Sequence, residues 1–372
     1  MKQSNTSTNY GMLLNSFKNP EISKTLLKKI NACQERITIM EVCGTHTVAL
    51  FRTGIRNGLP ENVNLVSGPG CPVCVTPLKT MEKAIGLAEK ADSLLYCFGD
   101  MMKVPGVHEN LESAVGNKGA HVRLMYSPIE ALEFAKARPS KKVILFGVGF
   151  ETTIPLFASI LIRAKKDGVK NLFLLSDFKV IPPALDALAS AADIKIDGFL
   201  LPGHVSAIIG SDAYGFMTKK YKMPGVIAGF ESVDILEGIL TLTNLILDKK
   251  ALIKNDYARF VTPGGNRRAL AAMAEVFEPA DSTWRGIGEI GGSGLKLNKK
   301  FEHFDAEKMI DFVISNTDEP LGCMCGDVIK GKCKPPDCKL YKRSCSPSHP
   351  VGPCMVSSEG TCAAYYKYGG SK

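Results

Sequence analysis

Short apolar runs alternate with amphipathic stretches through the first two thirds of the chain, and that rhythm admits few folds. Eight runs read as strands, at 37–42, 63–66, 94–98, 121–125, 143–146, 172–175, 199–201 and 226–228. Helical patterns separate most of them, among them 77–90 with Thr76 as its expected cap and 128–137 with Ser127. Strands alternating with helices build parallel sheets covered by helices. A first helix is expected where Asn19, a capping residue, precedes Pro20, with Ile22, Leu26, Leu27 and Ile30 on one face. The expectation is an α/β fold with two doubly wound parallel-sheet domains, 36–125 and 126–234, meeting near Tyr126. From about Ser232 the rhythm changes to a long helical stretch, glycine-rich segments and a cysteine-rich tail. Residues 235–372, completed by the N-terminal helix of 1–35, read as a third domain.

Composition narrows the function classes. Hydrophobic residues are 45% and charged residues 22% of the 372, which excludes a disordered or fibrous chain. Apolar stretches such as 199–210 are short and punctuated by glycine, so no membrane span is expected. The first ten residues, MKQSNTSTNY, lack an apolar signal core, and a cytoplasmic protein is expected. The net charge of +9 is spread over lysines that fall singly on amphipathic stretches. The densest basic run, 330–343, is diluted by Asp337 and has no stacking motif nearby, so nucleic acid is not an expected partner. An acidic protein partner or an anionic ligand suits the same charge.

Twelve cysteines carry the strongest chemical signal. In a reducing compartment such a number points to metal or redox chemistry. Five lie in the first hundred residues, seven crowd into 323–362, and none lies between. Cys33, on an amphipathic helix, and Cys97, inside an apolar strand, read as packing residues. Five unusual segments follow expected strands directly: CGTHT at 43–47, GPGCPVC at 68–74, GDMMK at 99–103, GVGFETT at 147–153 and PGHVS at 202–206. Carboxyl ends of parallel strands form the ligand crevice of α/β folds, so these loops are expected to converge on one cleft. None fits a phosphate-binding loop, and Gly147-Val148-Gly149 lacks the third glycine of a dinucleotide fingerprint.

Cys43 ends a strand before an expected helix, a position that favours the thiolate and suits a nucleophile or a soft-metal ligand. Its thiolate is expected to be available at neutral pH, with His46 in reach of the same site. Cys71 and Cys74 form a CxxC ahead of the Thr76 helix, placed like a thioredoxin-type redox pair; half of a zinc site is the other reading. The tail thiols, Cys323, Cys325, Cys333, Cys338, Cys345, Cys354 and Cys362, contain no CxxC and share one histidine, His349. Four of them are enough for an iron–sulfur cluster, and an irregular zinc site is the alternative.

Taken in order, the CGTH, GPGCPVC, GFETT and PGHVSAIIG segments and the terminal GPCMVSSEGTCAAYY resemble the HypD family of [NiFe]-hydrogenase maturation scaffolds, from about Ile39 to Tyr366. The resemblance implies two α/β domains and a third that carries a [4Fe–4S] cluster. It implies a complex with the small chaperone HypC and a transient one with the cyanide donor HypE. On that scaffold an iron acquires two cyanides and one carbon monoxide, as Fe(CN)2CO, before transfer to the hydrogenase large subunit. It places that iron on Cys43, helped by a cysteine of HypC, and makes Cys71 and Cys74 the thiol pair of the same cleft. The family's cluster spacing falls on Cys325, Cys338, Cys345 and Cys362, with Cys323 able to replace Cys325. His46, His204 and Glu359 are expected to handle protons or support the ligands. Two other classes fit the same residues: a stand-alone cluster-dependent thiol–disulfide oxidoreductase, and a zinc-stabilised interaction module.

Overall fold

Asn19 opens the first helix, Pro20–Ile30, as its sequence dictates: its side-chain oxygen accepts from the amides of Glu21 at 2.9 Å and Ile22 at 3.4 Å. The structure, a computed structural model, describes residues 17–314 and 317–369. The N-terminal ten residues read above lie outside them. Among the described residues no helix is long and apolar enough to cross a membrane.

The fold is α/β with two all-parallel sheets and a cysteine-rich C-terminal region. The strands in chain order are β1 (Ile37–Glu41), β2 (Val63–Ser67), β3 (Ser93–Cys97), β4 (Val122–Leu124), β5 (Lys142–Gly149), β6 (Leu172–Phe178), β7 (Gly198–Pro202), β8 (Gly225–Ala228), β9 (Ile253–Asn255), β10 (Phe277–Trp284) and β11 (Gly288–Leu297). One sheet has the order β2-β1-β7-β8-β9 and the other β4-β3-β5-β6. The sheets therefore do not divide near Tyr126. The chain leaves the first sheet after β2, builds the whole second sheet, and returns at β7. Local pattern fixes where strands are but not which strand each pairs with, because strands buried on both faces carry no register signal of their own.

Helix Pro20–Ile30 meets expectation in part, since it packs on helix Ser232–Leu247 at the start of the region it was expected to complete. Leu26 and Ile30 are buried with Ile239 and Leu242 of helix Ser232–Leu247 and with Leu200 of β7, so it covers the five-stranded sheet rather than the tail. Two caps differ as well. Helix Leu78–Ala88 starts from Pro77, while the Thr76 hydroxyl donates back to Pro72 O at 3.1 Å. Helix Ile129–Ala137 is capped from inside its first turn, where Glu130 Oε1 accepts from the amides of Tyr126 and Ser127 at 3.1 and 3.0 Å.

Strand β9 and the antiparallel hairpin β10–β11 stand where the sequence showed only a helix and glycine-rich stretches. The hairpin docks on the second sheet through Phe178 against Phe277, ring centroids 5.5 Å apart, and Ser176 Oγ donating to Leu295 O at 2.8 Å. Its turn meets the tail: Gly286 has φ +75°, and a Cβ there would stand 2.4 Å from Gly326 Cα. The last helix, Thr361–Tyr368, fastens the tail to the first sheet. Tyr365 packs edge-on to Phe51 at 4.6 Å and accepts from Arg56 Nη2 at 2.6 Å.

Candidate iron and thiol site

In the order β2-β1-β7-β8-β9 the chain departs from β1 in one direction and arrives at β7 on the other side, which opens a crevice at their carboxyl ends. Cys43 lies at that crevice, extended at φ −159° and ψ 123°, as the N-cap of helix Gly44–Arg52. Glu41, the last residue of β1, is fully buried beneath it. Its Oε2 accepts the Cys43 amide at 3.2 Å, and its Oε1 accepts the Thr47 hydroxyl at 2.5 Å. Burial pushes the Glu41 carboxyl up to about 7 against these hydrogen bonds.

Two glycines of the motifs are explained by close approach. The Gly44 amide donates to Gly70 O at 3.1 Å, and a Cβ on Gly70 would lie 2.3 Å from Cys43 N. A Cβ on Gly44 would lie 2.5 Å from Glu359 Cβ. Three segments thus cross backbone to backbone around Cys43: its own loop, the GPGC loop and the tail.

The proposed proton handlers arrive at the same place. His46 is fully buried, and its Nε2 donates to Gly229 O at 2.8 Å. That bond leaves Nδ1 as the lone-pair nitrogen, and it has no partner. Burial holds His46 down to about 4. Phe230 stacks on His46 at 4.6 Å and on His204, from the PGHVS loop, at 3.8 Å. Burial also lowers His204, while the Glu359 carboxylate favours its charged form. Glu359 Oε1 accepts the Thr45 hydroxyl at 2.7 Å. The neighbouring Ser358 amide donates to Asp100 Oδ2 at 3.4 Å, so the tail also ties in the crevice after β3.

The expectation for the Cys43 thiol needs correction. Burial pushes it up to about 12, Glu359 adds to the rise, and the His46 amide opposes it only in part. The helix N-terminus is present as expected, but desolvation of a thiolate outweighs it. The CxxC differs too. Helix Leu78–Ala88 begins after Pro77, and Cys71–Cys74 form a separate turn in which the Cys74 amide donates to Cys71 O at 3.2 Å. Both thiols are buried, with sulfurs 2.6 Å apart.

Cys354, left as an extra thiol by the ligand pattern that the family resemblance implies, is the thiol that connects the rest. Its thiol lies close enough to those of Cys325, Cys362 and Cys74 to interact electrostatically with each of them. Cys323 touches Cys325 in turn, and a Cβ on Gly352 would strike both sulfurs, at 2.8 and 2.5 Å. Cys345 Sγ accepts the Val351 amide at 3.4 Å, and Cys338 Sγ lies 3.8 Å from Gly322 O. Among the described residues no three His, Cys, Asp or Glu side chains converge on one point as ligands of a single metal ion. Cys354, Cys362, Cys325 and Cys323 follow one another outward from Cys74 instead, and backbone amides face the Cys345 sulfur, a donor set compatible with an iron–sulfur cluster. Cys33 and Cys97 are buried apart from this path, Cys97 against Met102 at 3.6 Å.

The GFETT loop, which spacing left without a role, buries Glu151 at the end of β5. Its Oε1 accepts the Ile181 amide at 2.9 Å, its Oε2 has no partner, and burial pushes the carboxyl up to about 7.

The chain matches the family model HypD, described as the hydrogenase formation hypA family, over residues 21–369. The hydrogenase maturation factor HypD of Azotobacter vinelandii is 42% identical over 337 residues, covering 89% of each chain. That of Escherichia coli K12 is 42% identical over 333 residues, again 89% of each. That of Rhodobacter capsulatus is 39% identical over 369 residues, 96% of this chain and 98% of the relative. With the motif loops gathered at one crevice and the match running nearly end to end, the chain belongs to the HypD family of hydrogenase maturation factors.

Proposed function

We propose that this chain is the cytoplasmic scaffold on which the iron of a [NiFe]-hydrogenase gains two cyanides and one carbon monoxide before delivery to the large subunit. The iron is cargo. Cys43 holds it jointly with a cysteine of a HypC-type chaperone, and a HypE-type donor brings the cyanide. Cyanide and carbon monoxide favour a soft, low-valent iron, and thiolate ligands support one.

The observation that carries this reading is the surrounding of Cys43. A sulfur donor sits at the switch point of a parallel sheet, pinned through its amide by Glu41. The GPGC loop and Glu359 pack against it, and the CxxC follows directly in the chain. Iron binding displaces the Cys43 proton, so the metal supplies the energy that burial withholds from the free thiolate. Glu359, His204 and the free Nδ1 of His46 are the acceptors at hand.

Cys325 (or Cys323), Cys338, Cys345 and Cys362 are proposed to hold a [4Fe–4S] cluster. When bound, such a cluster supplies electrons one at a time. Cys71 and Cys74 serve as a dithiol, and Cys354 sets that pair in contact with Cys325 and Cys362. The same contact favours a second reading, a stand-alone thiol–disulfide oxidoreductase, which needs Cys71 and Cys74 and tolerates the loss of Cys43.

The test is infrared spectroscopy of anaerobically purified protein with its partners, alongside iron, zinc and acid-labile sulfide analysis. Cyanide and carbon monoxide bands with labile sulfide are expected. Stoichiometric zinc without sulfide overturns the cluster assignment, and sulfide with no diatomic bands favours the oxidoreductase.

A further inference from the structure

The loop after β8 carries none of the motifs read above, yet it reaches the crevice and places Phe230 there. Only Gly229 and Phe230 stand between β8 and Glu231, the N-cap of helix Ser232–Leu247. The loop is held on both sides. The Glu231 amide donates to Asp234 Oδ2 at 3.3 Å, and a Cβ on Gly229 would lie 2.3 Å from that oxygen and 2.5 Å from Tyr257 Cε2. A Cβ on Gly203, the residue before His204, would lie 2.6 Å from Ala228 O, so the PGHVS loop is seated against the same turn. The Phe230 ring stacks with His46 at 4.6 Å and 29° and with His204 at 3.8 Å and 24°. Tyr257 meets it edge-on at 6.2 Å.

Two imidazoles this close and this nearly parallel to one ring would overlap if they shared a face, so they lie on opposite faces of Phe230. The inner one, His46, is fully buried and donates through Nε2 to Gly229 O at 2.8 Å, which leaves Nδ1 without a partner. The outer one, His204, is partly open to solvent. The hydrogen bond made by one ring nitrogen decides which nitrogen carries the proton, provided that the ring cannot turn over. Neighbouring residues of one loop supply both restraints: Gly229 the acceptor, Phe230 the flat wall. We infer that Phe230 is a positioning residue for both histidines. It fixes the plane of His204 and keeps His46 from flipping, so that the proton stays on Nε2 and Nδ1 remains a bare acceptor.

The inference rests on the proposal that His46 and His204 serve the iron site at Cys43, and it adds how they are held there. A leucine in place of Phe230 keeps the loop apolar but removes the flat face. His46 can then turn over and exchange Nδ1 for Nε2 at the Gly229 carbonyl. Misdirecting a supporting group of this kind lowers metal loading by about tenfold. A tyrosine keeps the face, and with it both the tautomer and the loading.

The experiment is nitrogen NMR of the full chain carrying isotope-labelled histidine, purified anaerobically, with His46→Gln assigning the signal. Infrared spectra of the same variants with the HypC-type partner read the cyanide and carbon monoxide bands. The parent is expected to show His46 as a single tautomer protonated at Nε2. Phe230→Leu is expected to fold with its labile sulfide, to populate both tautomers and to lose about tenfold in band intensity. Phe230→Tyr is expected to match the parent in both. A merely structural ring gives a less stable Phe230→Leu protein with the tautomer unmoved. A single unmoved tautomer or undiminished bands in Phe230→Leu overturns the inference, as does a parent His46 protonated at Nδ1 or loss of the bands in Phe230→Tyr. Should Phe230→Leu fail to fold, Phe230→Met fills the space without a flat face and carries the same expectations. Absence of diatomic bands from the parent complex overturns the iron reading instead, while the nitrogen spectra still decide whether Phe230 holds the ring, so the two failures are distinguishable.

Discussion

Cys74 and Cys354 are neighbours in one buried cluster and their thiols interact, although one belongs to the loop after β2 and the other to the tail. Both are buried, and both are pressed into the core that also holds Phe150, Tyr214 and Trp284. In cluster-free protein, mild oxidation should therefore yield a disulfide-linked pair of peptides joining the CxxC to Cys354. Peptide mapping without reduction reads it directly. Exclusive recovery of Cys354 as a free thiol, with Cys71–Cys74 fully oxidised, would show that the contact does not support exchange.

The tail assignment separates by residue. Replacing Cys345 or Cys338 by alanine should remove the visible absorption of the anaerobically purified protein, because both are proposed ligands. Removing Cys333, half-buried and away from the Cys354 contacts, should leave it. Loss of absorption in Cys333→Ala would mean that the ligand set is misassigned.

Glycine substitutions test the crossing of loops at Cys43. Gly70→Ala puts a Cβ 2.3 Å from Cys43 N, where only backbone could yield. Such overpacking should cost about 1–3 kcal/mol by urea unfolding. Gly99→Ala meets nothing within 4 Å and serves as the control, with a change within about 0.5 kcal/mol. Equal stability of the two variants would show that the Gly70 contact is relieved by loop movement.

How much of this was legible in the sequence depends on the range of each interaction. Asn19 capped its helix as read, because a cap is a contact between near neighbours. The loops after β1, β2 and β7 were found for the same reason: glycine, proline and cysteine mark a strand end locally. The return of β7 to pair with β1 was not legible, since Ile39 and Gly198 meet only once the second sheet has been built between them. Cys354 was missed because its approach to Cys74 is likewise long-range, and the ligand pattern implied by the family resemblance favoured other thiols. The raised Cys43 thiol was misread because helix position shows in sequence and desolvation does not. Phe230 gave no signal beyond a lone phenylalanine beside a glycine.

Glu151 gives a pH signature independent of any metal. Its carboxyl is pushed up to about 7 by burial, with the Ile181 amide in contact and Tyr214 as the nearby titratable group. A carboxyl raised on folding binds its proton more tightly in the folded state. Its contribution is full below the unfolded value near 4.5 and is lost as pH rises through about 7. Glu151→Gln cannot ionise, so between pH 4.5 and 8 its stability should improve relative to the parent by about 3 kcal/mol. Parallel stability–pH curves for the two proteins would show that Glu151 keeps an ordinary carboxylate range.

The central claim is that the iron of the growing centre sits on Cys43, and infrared spectroscopy of the Cys43→Ala protein purified anaerobically with its HypC-type partner tests it most directly. Alanine fits the extended N-cap position, and the hydrogen bond that the Cys43 backbone amide donates to Glu41 Oε2 does not depend on the sulfur. The variant should fold, retain its labile sulfide and bind the chaperone through surface contacts. It should show no cyanide or carbon monoxide bands, whereas the parent complex should show both. Retention of those bands in the alanine variant would contradict the account and move the iron site to the Cys71–Cys74 turn.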